Sequence, residues 1–165
     1  FAIGGCFQKV FIACNCITEA DSRCGKKLGN TAKYNQVLIF LCENDRRNMT
    51  KKTLIVAPTY SEYSRAAKLV GSEVDTYMLK NLDDFEIDID MFLKALNESY
   101  ELLIICNPNN PTSKALTREQ MDTILERCLE LDIFVMVDET YVEFVKDINH
   151  ISSVILTKKY ENLHL

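Results

Sequence analysis

The chain has 165 residues, 47% apolar and 26% charged, with a formal net charge of −5 at pH 7. That length suits one domain with a buried core, and an acidic balance without a basic run argues against a nucleic-acid surface. No apolar stretch approaches the roughly 20 residues that span a bilayer, so no membrane partner is expected.

Residues 1–36 show scattered apolar positions interrupted by Gly4, Gly5, Gly25 and Gly29, and no period holds. The first seventeen are apolar but lack a basic start and carry Gln8 and Lys9, which is not a signal peptide. A chain that begins with Phe1 is expected to be a fragment or a processed product. Its seven cysteines form no regular framework. Cys14, Cys16 and Cys24 do not match a zinc spacing, so no metal is expected. Cys42, Cys106 and Cys128 lie within apolar patterns as small core residues, as suits reduced thiols of the cytoplasm. The run 37–42, VLIFLC, fits a buried helix or a buried strand, and 43–52 is a solvated connection.

From Thr53 the pattern sharpens. TLIVA is a short β-branched strand ending at Pro58-Thr59-Tyr60. Ser61 can cap a helix that turns Tyr63, Ala66, Ala67 and Val70 inward, and Gly71 supplies a left-handed stop. Glu73 to Leu79 reads as a strand. Asp88 caps a short helix with Met91, Phe92, Ala95 and Leu96. Leu102 to Cys106 is apolar without alternation, as in a strand covered on both faces, and it ends in the loop NPNNPT, 107–112. Thr117 to Gln120 fits a capping box opening a helix with Met121, Ile124, Leu125, Cys128 and Leu129 on one face. A second fully apolar strand, 133–137, then ends at Asp138-Glu139-Thr140-Tyr141. Residues 151–156 and 163–165 start further elements.

Strand, helix and strand make a βαβ unit with parallel strands, so the loops carrying Asn110 and Asp138 share one edge of the sheet. Open α/β sheets bind ligands at that carboxyl edge. An acid at the tip of a buried strand is costly to ionise unless a positive group pairs with it, and a protonated heteroaromatic nitrogen is such a partner. Asn and Tyr side chains can hydrogen-bond a phenolate-type oxygen, and Tyr60 offers a ring to stack on a flat ligand. Pyridoxal phosphate has those needs. The residues alone also leave NPNNPT open as a proline-rich turn. A phosphate-loop NTPase would place its acids as Asp138 and Glu139 stand, but Gly25-Lys26-Lys27 lacks the second glycine and the hydroxyl that loop requires. His150 and His164 have no partners at ligand spacing.

PTYSEY (58–63), NPNNPT (107–112) and DETY (138–141), in that order, resemble the class I/II aminotransferase superfamily of fold-type I pyridoxal-phosphate enzymes. The resemblance is strongest to the branch of histidinol-phosphate aminotransferases and threonine-phosphate decarboxylases. It implies a three-layer α/β/α fold with a mainly parallel sheet, part of the large domain of such an enzyme. Residues 1–50 then form a poorly readable amino-terminal segment and 51–165 an incomplete pyridoxal-phosphate-binding domain. By the same resemblance Asn110 and Tyr141 contact the cofactor's O3′, Asp138 pairs with its pyridine nitrogen, and Tyr60 stacks on its ring. The implied reaction moves an amino group between an amino acid and a 2-oxo acid in a cytoplasmic biosynthetic enzyme that is a homodimer when full-length. Threonine-phosphate decarboxylation is the alternative.

Three departures from the family pattern matter. Ser113 stands where the family carries Gly, so the turn either avoids a positive φ or takes strain to reach it. The family's phosphate cradle falls near 29–31 or 33–35, neither of which has its usual form. The Schiff-base lysine is expected beyond Leu165, so Lys158 and Lys159 do not take that role and no catalytic residue is assigned. A catalytically inactive, truncated remnant is the further alternative.

Overall fold

In the computed structural model, residues 52–69 and 71–165 are described. The readings of 1–51, with its cysteines, the run 37–42 and both candidate phosphate stretches, lie outside those residues, as does Val70. Five strands form one sheet: β1 (Lys52–Ala57), β2 (Glu73–Met78), β3 (Leu102–Cys106), β4 (Phe134–Asp138) and β5 (Leu163–His164). Their order is β2-β1-β3-β4-β5, and every pair is parallel. The chain leaves β1 for β2 on one side and then returns to place β3 on the other. A switch of direction therefore lies between β1 and β3, where the carboxyl ends of neighbouring strands open a crevice.

The central strands read as continuous apolar runs because both faces are covered. Their pleat sends alternate residues to opposite faces. Leu54, Val56, Leu103, Ile105, Val135 and Val137 pack against α2 (Ile89–Ala95) and α3 (Arg118–Glu130) through Phe92, Met121, Ile124, Leu125 and Cys128. Ile55, Leu102, Ile104, Cys106 and Met136 pack on the other face with Tyr63 and Ala66 of α1 (Glu62–Leu69). Helices on both faces give the expected three-layer α/β/α arrangement. Fully burying a side chain such as Ile124 contributes about 1.5–3 kcal/mol, so this double layer holds the strands and fixes where their carboxyl ends lie.

The local signals act as their chemistry dictates. Asp88 caps α2 by accepting from the Met91 amide at 3.0 Å. Thr117 and Gln120 form the complete capping box of α3. Gly71 takes φ +90° after α1, with Ser72 N–H donating to Ala67 O and Gly71 N–H to Lys68 O. That is a Schellman stop. Cys106 and Cys128 are buried free thiols. Leu129, expected on the apolar face of α3, is 44% exposed, and Met91 of α2 is 56% exposed. Both lie at the margin of their helix's apolar stripe, where no element among the described residues covers them. The second βαβ strand runs one residue later than its apolar run, because Asp138 still pairs with Cys106 in the ladder. The segment after β4 folds into a 3-10 turn (Val142–Phe144), α4 (Ile148–Ile151) and a second 3-10 turn (Val154–Lys158) before β5.

Candidate functional site

The carboxyl edge of the sheet gathers three segments. Residues 58–60 follow β1, 107–116 follow β3, and 138–141 follow β4. The first two are tied directly, as Asn109 Nδ2 donates to Pro58 O at 2.8 Å and also to Thr112 Oγ1 at 2.8 Å. Asn107, 1% exposed, clamps the far end of its own loop. Its Nδ2 donates to Leu116 O at 3.2 Å and its Oδ1 accepts from Leu116 N–H at 2.7 Å. Its backbone N–H donates to Asp138 O at 2.9 Å and so carries the β3–β4 ladder one step into the loop. The loop's first two asparagines, Asn107 and Asn109, are therefore structural. Ser113 does reach the left-handed region, at φ +60°, with its N–H bonded to Asn109 O at 2.8 Å. Serine has a Cβ, so it occupies that position at a cost glycine would avoid.

Asp138 is half-buried at the tip of β4. Being next in the pleat after Val137, it faces the α1 layer together with Cys106, its register partner. There Tyr63 donates its hydroxyl to Asp138 Oδ2 at 2.6 Å. The other carboxylate oxygen accepts the Thr140 N–H at 2.9 Å and the Thr140 hydroxyl. Burial, reinforced by the nearby Cys106 thiol and the Asp138 carboxylate, pushes the Tyr63 phenol far above its ordinary value, so it remains a proton donor. Glu139 turns the other way, with its carboxylate accepting from Ser152 Oγ at 2.8 Å and from the Ser153 amide. It pins the segment after Asp138 and leaves Asp138 as the acid of this edge.

Tyr60 is half-buried, and its ring meets that of Tyr63 edge-on with centroids 5.7 Å apart. Tyr60, Tyr63 and Asp138 are thereby linked in one cluster. Tyr141 is 37% exposed beside Phe144, ring centroids 6.3 Å apart. Asn110 lies exposed, further along its loop than the residue that touches Asp138, and among the described residues no hydrogen bond holds its amide. Topology puts Asn110 and Asp138 on one edge, while the direct backbone tie runs through Asn107. Sequence reasoning placed Tyr63 in the packing and missed its hydroxyl. The available signal was the parity of β4, which sends Asp138 toward the α1 face.

A cleft of ≈ 250 Å³ opens on the opposite, α2/α3 side, between Val56, Phe85, Ile105 and Lys114. Its polar lining is already engaged. Lys114 pairs with Asp84 and, at 3.5 Å, with Glu86, while Gln120 is held in the capping box. Convergent donors and acceptors mark a ligand site better than volume does, so the Asp138 side is the candidate. No group of metal-ligating side chains occurs among the described residues, and no helix among them is long and apolar enough to cross a membrane. His150 is exposed, with Nδ1 3.9 Å from a Glu119 carboxylate oxygen.

The donor set fits a flat, cation-bearing heteroaromatic group. Among the described residues the Asp138 carboxylate accepts from Tyr63 and Thr140, an acceptor suited to a protonated ring nitrogen, and Tyr63 meets the half-buried Tyr60 ring edge-on. Comparison with known proteins points the same way. The family model for aminotransferase class I and II matches residues 28–165. Over 108 residues the chain is 40% identical to a histidinol-phosphate aminotransferase of Francisella philomiragia, covering 66% of this chain and 29% of that protein. It is 33% identical over 95 residues to a threonine-phosphate decarboxylase of Salmonella typhimurium, covering 58% of this chain and 26% of that one. A solved decarboxylase from Sulfurospirillum multivorans has the same fold over 78% of this chain and 32% of its own, with TM-score 0.66 and 27% identity. The chain thus matches about a third or less of the length of these relatives. With the family model matching from residue 28 through the last strand, the chain belongs to the class I and II aminotransferases.

Proposed function

We propose that residues 51–165 form part of the cofactor-binding domain of a pyridoxal-phosphate-dependent enzyme that transfers an amino group between an amino acid and a 2-oxo acid. The observation that carries this reading is Asp138, an acid at a strand tip, held by Tyr63 and Thr140, with Tyr63 in edge-on contact with the Tyr60 ring. When bound, pyridoxal phosphate supplies a pyridinium ring that withdraws electrons from an amino acid attached to it. Asp138 would keep the ring nitrogen protonated, because an adjacent carboxylate favours the charged form of a base. Asn110 and Tyr141 would donate to the O3′ oxygen, and Tyr60 would stack on the ring and exclude water from one face.

Two lysines in the second half of the chain are engaged elsewhere. Lys159 is bound to Asp122 of α3 at 2.9 Å, and Lys114 pairs across the α2/α3 side. By the family resemblance we assign the Schiff-base role to a lysine beyond Leu165. A cytoplasmic homodimer is the assembly we propose for the whole enzyme. Decarboxylation of a phosphorylated amino acid is the second reading, favoured by the decarboxylase names among the similar proteins.

The test is titration of the 165-residue chain with pyridoxal phosphate, followed by absorbance and by borohydride trapping. Saturable binding that Asp138→Ala weakens at least about tenfold, roughly 1.4 kcal/mol, supports the site. Equal binding by the variant would remove Asp138 from the cofactor site, and a trapped adduct on one of the present lysines would overturn the lysine assignment.

A further inference from the structure

The Tyr63–Asp138 contact goes beyond what the three motifs imply: Tyr63 closes PTYSEY, but the only role the resemblance gives in that motif is the stacking of Tyr60. Tyr63 is 2% exposed on the inner face of α1, and its hydroxyl is 2.6 Å from Asp138 Oδ2. A tyrosine needed only for packing would bury its hydroxyl at a cost. Here the hydroxyl is matched to a carboxylate, and a bond with one ionised partner is about twice as strong as a neutral one. The surrounding groups leave the carboxylate little choice of orientation. Cys106 stands opposite it on β3 with its thiol turned toward Pro108 O at 3.3 Å, Thr140 holds Oδ1, and Glu139 is drawn away to Ser152 and Ser153.

We propose that Tyr63 is a positioning residue for Asp138: its hydrogen bond fixes the carboxylate's orientation and keeps it ionised, so that a fixed anionic acceptor faces the ring nitrogen of a bound heteroaromatic cofactor. The last step rests on the cofactor reading above. The first does not, because it concerns two side chains of the chain itself. Tyr63 remains a phenol throughout and no proton leaves it. Its effect is electrostatic, since a hydrogen bond to the charged form of an acid lowers that acid's pKa.

The experiment reads both steps separately on the whole 165-residue chain. With 13C-labelled aspartate, the Asp138 carboxyl signal is identified by its disappearance in Asp138→Asn and titrated without cofactor in the parent and in Tyr63→Phe. The expected result is an Asp138 pKa higher by about one unit in Tyr63→Phe; an unchanged pKa overturns the proposal. If Tyr63→Phe loses its circular-dichroism spectrum, 3-fluorotyrosine at position 63 decides instead. It keeps the shape and is a stronger donor, so the Asp138 pKa must fall below that of the parent, and a value unchanged or raised overturns the proposal.

Pyridoxal-phosphate titrations of the same proteins test the second step. Binding several-fold weaker in Tyr63→Phe supports it, and binding equal to the parent alongside a raised Asp138 pKa overturns the service to a cofactor. A parent chain that takes up no pyridoxal phosphate overturns the cofactor reading alone, while the carboxyl titration still decides whether Tyr63 holds Asp138.

Discussion

Gly71 and Asp132 occupy the same place in two helix ends. After α3, Ile133 N–H donates to Cys128 O at 2.8 Å and Asp132 N–H to Leu129 O at 3.2 Å, the pair of bonds that Gly71 and Ser72 make after α1. Asp132 takes φ +56° there, in a region where a side chain's Cβ crowds the following carbonyl. Asp132→Gly is therefore expected to stabilise the fold by about 0.5–1 kcal/mol, read from the urea midpoint at constant slope. An unchanged or lower midpoint would mean that the aspartate side chain offsets its own strain. The glycine stop was legible in the sequence because glycine advertises a positive φ, whereas nothing in the letters LELDIF announces that an aspartate will take one. Cys128 is the opposite case. It lay in an apolar stripe, and burial pushes its thiol up to about 12. The native chain should leave Cys128 unmodified by iodoacetamide at pH 8, with labelling located by peptide mass, and should expose it in urea. Rapid labelling of Cys128 in the native state would contradict its place in the core.

At the scale of elements, α3 shows how much a short signal can carry. Thr117 Oγ1 accepts from the Gln120 amide at 3.2 Å and Gln120 Oε1 from the Thr117 amide at 2.8 Å, so two amides left over at the helix start are satisfied reciprocally. Thr117→Ala should lower stability by about 1 kcal/mol, within the usual span of 0.5–2 kcal/mol, measured by chemical denaturation. No loss would show that water replaces the cap. The cap and the four buried positions of α3 follow from spacing alone. Leu129 does not, since spacing gives the direction of an apolar stripe, and its width depends on which elements pack along its margins. The strands behave similarly. Their continuous apolar runs declared a doubly covered sheet, while the single-residue extension of β4 to Asp138 came from ladder pairing with Cys106.

At the scale of the whole molecule, ion pairs tie distant segments together. Lys52 of β1 lies 2.9 Å from Asp75 of β2, and Tyr100 donates to the same Asp75 oxygen at 2.8 Å. Lys159 links the segment before β5 to Asp122 of α3. The hydrogen bonds from Lys52 and Tyr100 hold Asp75 below its ordinary 3.8, and those from Lys159 and Tyr160 do the same for Asp122. A depressed carboxylate pKa adds stability above the unfolded value, and that contribution is lost as pH falls through the folded value. Urea stability measured at pH 5 and again below 3.8 should therefore fall more steeply in the parent than in Asp75→Asn. Both pairs are partly exposed, so the difference should shrink in high salt. Parallel slopes would remove Asp75 from the acid sensitivity of the fold.

The sequence by itself determined the parallel α/β class, the caps of α2 and α3, the glycine stop of α1, the two apolar strands with their polar carboxyl ends, and the family, because each is written in local spacing and in motifs that survive without coordinates. The tertiary structure decided what those motifs do to one another. It set the order β2-β1-β3-β4-β5, gave Asn107 and Asn109 to the loop's own architecture, left Asn110 exposed, and brought Tyr63 of α1 onto Asp138 of β4. The physical reason is that strand pairing and the covering of each face by a helix are settled by contacts between residues far apart in the chain, and a hydrogen bond between two such residues leaves no period or spacing to read.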